Sequence, residues 1–111
     1  MENKIYLNSL LDFYSPLLTE KQQKICHYYY REDLSLQEIA ELENTSRSAV
    51  YDTVKRCRND LESYEDKLHL YRSYQKRSAL YQKIRSYHDQ KINTLVDACI
   101  DSEIDEGEKN I

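Results

Sequence analysis

One glycine and one proline in 111 residues leave this chain few ways to break a helix. Pro16 lies near the start and Gly107 near the end, so the long stretch between them contains neither residue. Apolar residues recur there at steps of three and four, and strand-like alternation is scarce. That pattern selects an all-α fold. The expected architecture is a helical bundle containing a helix-turn-helix, followed by a long C-terminal helix or a helical hairpin.

The elements of the first half can be placed from their signals. Lys4 to Tyr14 reads as a helix, with Ile5, Leu7, Leu10, Leu11 and Tyr14 available for burial. Ser15-Pro16 ends it. Thr19 followed by Gln22 forms a capping box for the next helix, whose apolar stripe is Ile25, Cys26 and Tyr29. Tyr28, Tyr29 and Tyr30 cannot all face one way on a helix, and Tyr29 is assigned to the core. An aromatic platform for RNA is disfavoured, because such platforms sit in basic grooves and this segment is acidic. Arg31 to Asp33 is a short loop.

Ser35 and Glu38 make a second capping box, with Leu34 and Ile39 placed as a hydrophobic staple. Ile39 and Ala40, with Leu42 as a further candidate, supply the buried side. The small Ala40 permits a close crossing of two helices. Asn44 tolerates left-handed backbone better than most residues, and either Thr45 or Ser46 can cap the helix that follows. At roughly 100° per residue, Val50, Val54, Cys57 and Leu61 then share one face. Ser48, Tyr51, Lys55 and Arg58 fall on the other, with Arg47 and Asp52 on the flanks. Short hydroxyls near the N-terminus and cations further along suit a helix that enters the DNA major groove. The candidate DNA-binding residues are Ser46, Arg47, Ser48, Tyr51, Asp52, Lys55, Arg56 and Arg58. Arg47 is placed to read guanine. Tyr51 is placed for a thymine methyl or a phosphate, and Lys55, Arg56 and Arg58 for phosphates. A charged face opposite an apolar one is also what any solvated surface helix shows.

Several blocks carry a family resemblance. Leu18-Thr-Glu-Lys-Gln-Gln, Ser35-Leu-Gln-Glu-Ile-Ala, Ser46-Arg-Ser-Ala-Val-Tyr-Asp and Glu62-Ser-Tyr-Glu-Asp-Lys-Leu resemble the YlxM family of small bacterial helix-turn-helix proteins, as does Asp12-Phe-Tyr. The family motif is similar to the promoter-reading region 4 of bacterial sigma factors. The resemblance implies a DNA-binding regulator, connected through gene neighbourhood to the signal recognition particle. The chain departs from its relatives at Glu43, where many are apolar, and at Thr45, where many have Val. It has Asn44 where sigma region 4 usually has Gly.

After Leu61 the stripe continues through Tyr64, Leu68 and Tyr71, then Leu80, Ile84 and Tyr87, then Ile92, Leu95, Val96 and Cys99. One long helix or a hairpin accounts for it, with a weaker seam around Gln75 and Ser78. Such a stripe is too long for one small head to cover. A homodimer through the C-terminal helix covers it, and so does a hairpin folded back within a monomer. The expected divisions are a head over 1–66, a helical extension over 67–100 and an acidic disordered tail over 101–111.

Net charge is −4, which argues against non-specific nucleic-acid binding. Its distribution is more informative. Residues 44–60 carry four cationic and two acidic side chains, and residues 72–91 carry six and one. Residues 92–111 reverse the balance, with one and six. Three cysteines, Cys26, Cys57 and Cys99, lie far apart without a Cys-x-x-Cys pair and read as reduced thiols of a cytoplasmic protein. No signal peptide or membrane span is read. His27, His69 and His88 have no partner at ligand spacing, so no metal, cofactor or catalytic set is expected. The leading expectation is a DNA-binding helix-turn-helix regulator. The alternative is a non-enzymatic adaptor for protein or RNA of the signal recognition particle. Contact with RNA polymerase rests on fold analogy alone.

Overall fold

A computed structural model describes residues 3–104 of the chain. These residues are all-α, with no strand among them. The helices are α1 (Lys4–Tyr14), α2 (Glu20–Cys26), α3 (Leu36–Leu42), α4 (Arg47–Leu68), α5 (Leu70–Arg85) and α6 (Gln90–Ser102). A 3₁₀ turn, Ser15–Leu17, carries Pro16 after α1, and a π-helical turn, His27–Arg31, extends α2. The chain divides into two units, Met1–Arg72 and Ser73–Ile111.

Both capping boxes form. The Thr19 hydroxyl accepts from Gln22 N–H at 3.1 Å while the Gln22 amide oxygen accepts from Thr19 N–H at 3.0 Å. Ser35 and Glu38 make the same pair at 3.1 and 3.0 Å. Each closes two backbone donors that a helix start otherwise leaves open.

In the first unit α4 packs on α1, α2 and α3. Val50, Cys57 and Leu61 are fully enclosed and Val54 nearly so. They meet Leu7, Leu10, Leu11, Tyr14, Ile25, Cys26, Ile39 and Ala40. Three sequence expectations fail here. Ile5 is 82% exposed. Leu42 is 60% exposed. Tyr30, rather than Tyr29, is the buried tyrosine of its run. The π turn explains the last. Glu32 N–H bonds back to His27 C=O at 3.1 Å, five residues earlier. The wider turn inserts a residue into the helical count and shifts the inward position by one.

The helix after α3 does not run on through the chain. His69 adopts left-handed backbone with φ 56° and ends α4, so the first break falls there and not near Gln75 or Ser78. The donors opened by that break are closed from elsewhere. Tyr71 and Arg72 N–H donate to the Glu65 carboxylate, both at 3.0 Å. Leu70 N–H donates to the Tyr14 hydroxyl at 3.0 Å, and that hydroxyl donates to Glu65 at 2.6 Å. One buried tyrosine from α1 and one buried glutamate from α4 thus cap the start of α5.

In the second unit α5 turns at Ser86–Asp89 into α6, which Asp89 caps by accepting from Ile92 N–H at 3.0 Å. Arg77 pairs with Glu103 and Arg85 with Asp97. Advancing along α5 retreats along α6, so the two form an antiparallel hairpin. α6 runs to Ser102, so the expected tail is helical at its first two residues, and from 105 on it lies outside the described residues. Asp33, Asn44, His69 and His88 take positive φ at four corners without the help of glycine.

Candidate nucleic-acid interface

The helix-turn-helix is built by α3, the corner at Asn44 and α4. Asn44 has φ 53°. Thr45 N–H reaches Ala40 C=O at 3.0 Å and Asn44 N–H reaches Glu41 C=O at 3.3 Å. That pair of bonds is a Schellman motif, so the free carbonyls of α3 are closed without glycine. Ser46, not Thr45, caps α4, its hydroxyl accepting from Ala49 N–H at 3.1 Å. The Glu43 carboxylate finds Lys24 of α2 at 3.1 Å. The bond and the opposite charge push the Lys24 ammonium above its usual range.

With Val50, Val54, Cys57 and Leu61 turned inward, the N-terminal half of α4 faces solvent. Ser46, Arg47, Ser48, Tyr51, Asp52, Lys55 and Arg56 are all exposed. Tyr51 is half in water, at 50%. Arg58 differs, being half-buried and already engaged within the protein. The row opposite the buried stripe is therefore Ser48, Asp52, Lys55 and Asn59, with Arg47 and Tyr51 on one shoulder and Arg56 on the other. The Ser46 and Ser48 hydroxyls lie 3.3 Å apart.

The cations on this face are uncommitted. Among the described residues Arg47, Lys55 and Arg56 make no ion pair, whereas Lys4, Lys24 and Arg31 of the same unit each hold a carboxylate. Arg47 and Lys55 are separated by about 12 Å along the axis at 1.5 Å per residue. Three positive side chains that free helix N–H groups assist can neutralise phosphates.

Sequence spacing missed the shoulder toward α2. There Arg56 and Asp52 join Lys21, Thr19 and Asp60 around a groove of about 550 Å³. Asp60 accepts from the Gln22 amide at 3.0 Å, which fixes one wall. No local signal links positions 21 and 56, which only the packing of α2 on α4 brings together.

All three cysteines are free, with Cys26 and Cys57 buried and Cys99 exposed. Among the described residues no cluster of His, Cys, Asp or Glu is arranged to hold a metal ion. None of their helices is long and apolar enough to cross a membrane.

Comparison with known proteins adds a family to this geometry. A family described as "Putative helix-turn-helix protein, YlxM / p13 like" matches residues 1–98. A UPF0122 protein of Clostridium perfringens is 42% identical over 112 residues, spanning 88% of this chain and all of the relative. One from Clostridium acetobutylicum is 44% identical over 115 residues, spanning the whole chain and 96% of the relative. One from Oceanobacillus iheyensis is 52% identical over 79 residues, or 71% of this chain and 75% of the relative.

Proposed function

The chain belongs to the YlxM / p13-like helix-turn-helix family, and from that premise we propose that it is a non-enzymatic, cytoplasmic, sequence-specific DNA-binding regulator. The carrying observation is the division of α4. Its apolar side is locked into the head, while Arg47, Tyr51 and Lys55 remain open to solvent. In this reading the N-terminal half of α4 enters the major groove. Ser46, Arg47, Ser48, Tyr51 and Asp52 lie nearest base edges, and Lys55 and Arg56 nearest phosphates. Arg58 contributes charge from the flank. The acidic remainder of the protein suppresses indiscriminate binding. Selection from a random duplex library with the purified chain at modest salt tests the reading. Enrichment of one sequence is expected, and a pool that stays random overturns it.

A second reading makes the protein an adaptor for protein or RNA of the signal recognition particle. Lys76 and Lys83 support it. They lie on one side of α5, exposed and without an ion pair among the described residues, whereas Arg77 is held by Glu103. Charge reversal at Lys76 and Lys83 should then abolish co-purification with the particle, and Arg47→Ala should leave it intact.

A further inference from the structure

The groove between α2 and α4 holds two cations that the protein itself leaves unused. Lys21 of α2 and Arg56 of α4 both line it, both are exposed, and neither makes an ion pair among the described residues. Asp52 and Asp60 line the same groove, yet neither cation engages them. Asp60 instead accepts from the Gln22 amide at 3.0 Å. Lys24, three residues further along α2, shows the contrast, since Glu43 holds it at 3.1 Å.

The place of this pair matters as much as its charge. The Cys57 thiol donates to Gln22 C=O at 3.7 Å, and the Gln22 side chain reaches Asp60, so α2 is fixed beside the turn of α4 that carries Arg56. Arg56 follows Arg47 by nine residues, which is about 14 Å along the axis. The major groove of DNA is about 12 Å wide. A helix that enters the groove by its N-terminal end therefore meets the bordering backbone at the level of Lys55 and Arg56. Lys21 is the neighbour of Arg56 there through packing and not through sequence.

We propose that Lys21 and Arg56 together grip one backbone phosphate at the edge of the duplex site, so that α2 as well as α4 holds the DNA. This deepens the function proposed above and rests on α4 being the helix that enters the groove. Two observations favour a duplex phosphate as the occupant. First, the two side chains come from different helices, line one groove and keep their charges free, and neutralising a phosphate releases its counterion. Second, Asp52 and Asp60 balance those charges locally, so a free anion gains little there. A phosphate carried in by a duplex already seated on α4 needs no affinity of its own. Asp52 also lies four residues before Arg56, about 6 Å nearer the end of α4 that meets base edges. Such a contact fixes where the duplex lies and adds no preference among bases.

Duplex binding by the full chain, measured against salt concentration, provides the test. Lys21→Ala should lower the salt slope by about 1 and weaken all duplexes alike, with the same sequence selected. Lys24→Ala removes the same charge from the same helix and should leave the slope unchanged, which separates a contact from net charge. In the selected duplex, a neutral methylphosphonate at one flanking position should weaken the unaltered chain and have no further effect on Lys21→Ala. Equal slopes for the unaltered chain and Lys21→Ala overturn the proposal, as does an equal loss in Lys24→Ala. So does inorganic phosphate that raises the melting temperature of the unaltered chain but not of Lys21→Ala, because the groove then holds a free anion. Sequence selection that Lys21→Ala leaves at full strength keeps the function and removes the grip. Duplex binding that selects no sequence, with a slope that still falls in Lys21→Ala, does the reverse. A chain that binds no duplex overturns both.

Discussion

Glu65 makes part of the fold sensitive to acid. Burial works against its charged form, but the Tyr14 hydroxyl and the N–H groups of Tyr71 and Arg72 outweigh it and hold the carboxyl below its ordinary range. A carboxyl depressed in the folded state stabilises fully above its unfolded value. That contribution fades as pH falls through the folded value. Urea midpoints measured from neutral pH down into the acid range should therefore decline, and Glu65→Gln should flatten the decline. Tyr14 has the opposite sign. Burial first, then its bond to Glu65, pushes the phenol up to about 12, so its contribution persists below the usual 10 and is lost as pH climbs through the raised value. Tyr14→Phe leaves Leu70 N–H and Glu65 each short of a partner and should cost roughly 1–3 kcal/mol in a denaturant melt. On the open face of α4 the expected effects concern binding instead. Arg47→Ala should weaken the selected sequence by roughly 1–3 kcal/mol and relax one base position. Lys55→Ala should weaken all duplexes alike and reduce the salt slope by about 1. That Arg47 and Lys55 are exposed was legible from helical phase alone. Glu65 was not, because sequence reading treats carboxylates as solvated and its partner Tyr14 lies 51 positions away.

Elements were most legible where a cap marks their start. Thr19 with Gln22 and Ser35 with Glu38 announce α2 and α3, since each pairs a short hydroxyl with an amide or carboxylate three residues on. The start of α4 lay between two neighbouring hydroxyls until geometry selected Ser46. Ser46→Ala should cost about 1 kcal/mol, read as a lower melting temperature. Asn44→Val tests the corner before it. A branched side chain in left-handed backbone costs roughly 1–2 kcal/mol or more, whereas Asn44→Gly should be near neutral or stabilising. Two features gave no sequence warning. The π turn at His27–Arg31 depends on how three successive tyrosines share space, so the sequence could not say which is enclosed. The end of α4 at His69 lacks Pro, Gly or Asn, and it is stabilised by the nearby Glu65 carboxylate together with the Tyr14 hydroxyl, which is distant in sequence.

At the scale of the whole molecule, scarcity of Pro and Gly correctly implied an all-α fold for the described residues, and the stripes located the buried side of α4, while Ile5, Leu80 and Leu95 stay exposed. The stripes could not say where the long C-terminal pattern turns, because Ser86–Asp89 holds no residue that demands a turn. One last property follows from the corner at Asn44, where the chain bends on a residue that still carries a β-carbon. The buried stripe of Val50, Val54, Cys57 and Leu61 already fixes α4 on the head, and the asparagine corner adds a local restraint to its start. If the proposed DNA reading holds, the motif needs no remodelling before it docks, and its association rate should fall with added salt and with added viscosity.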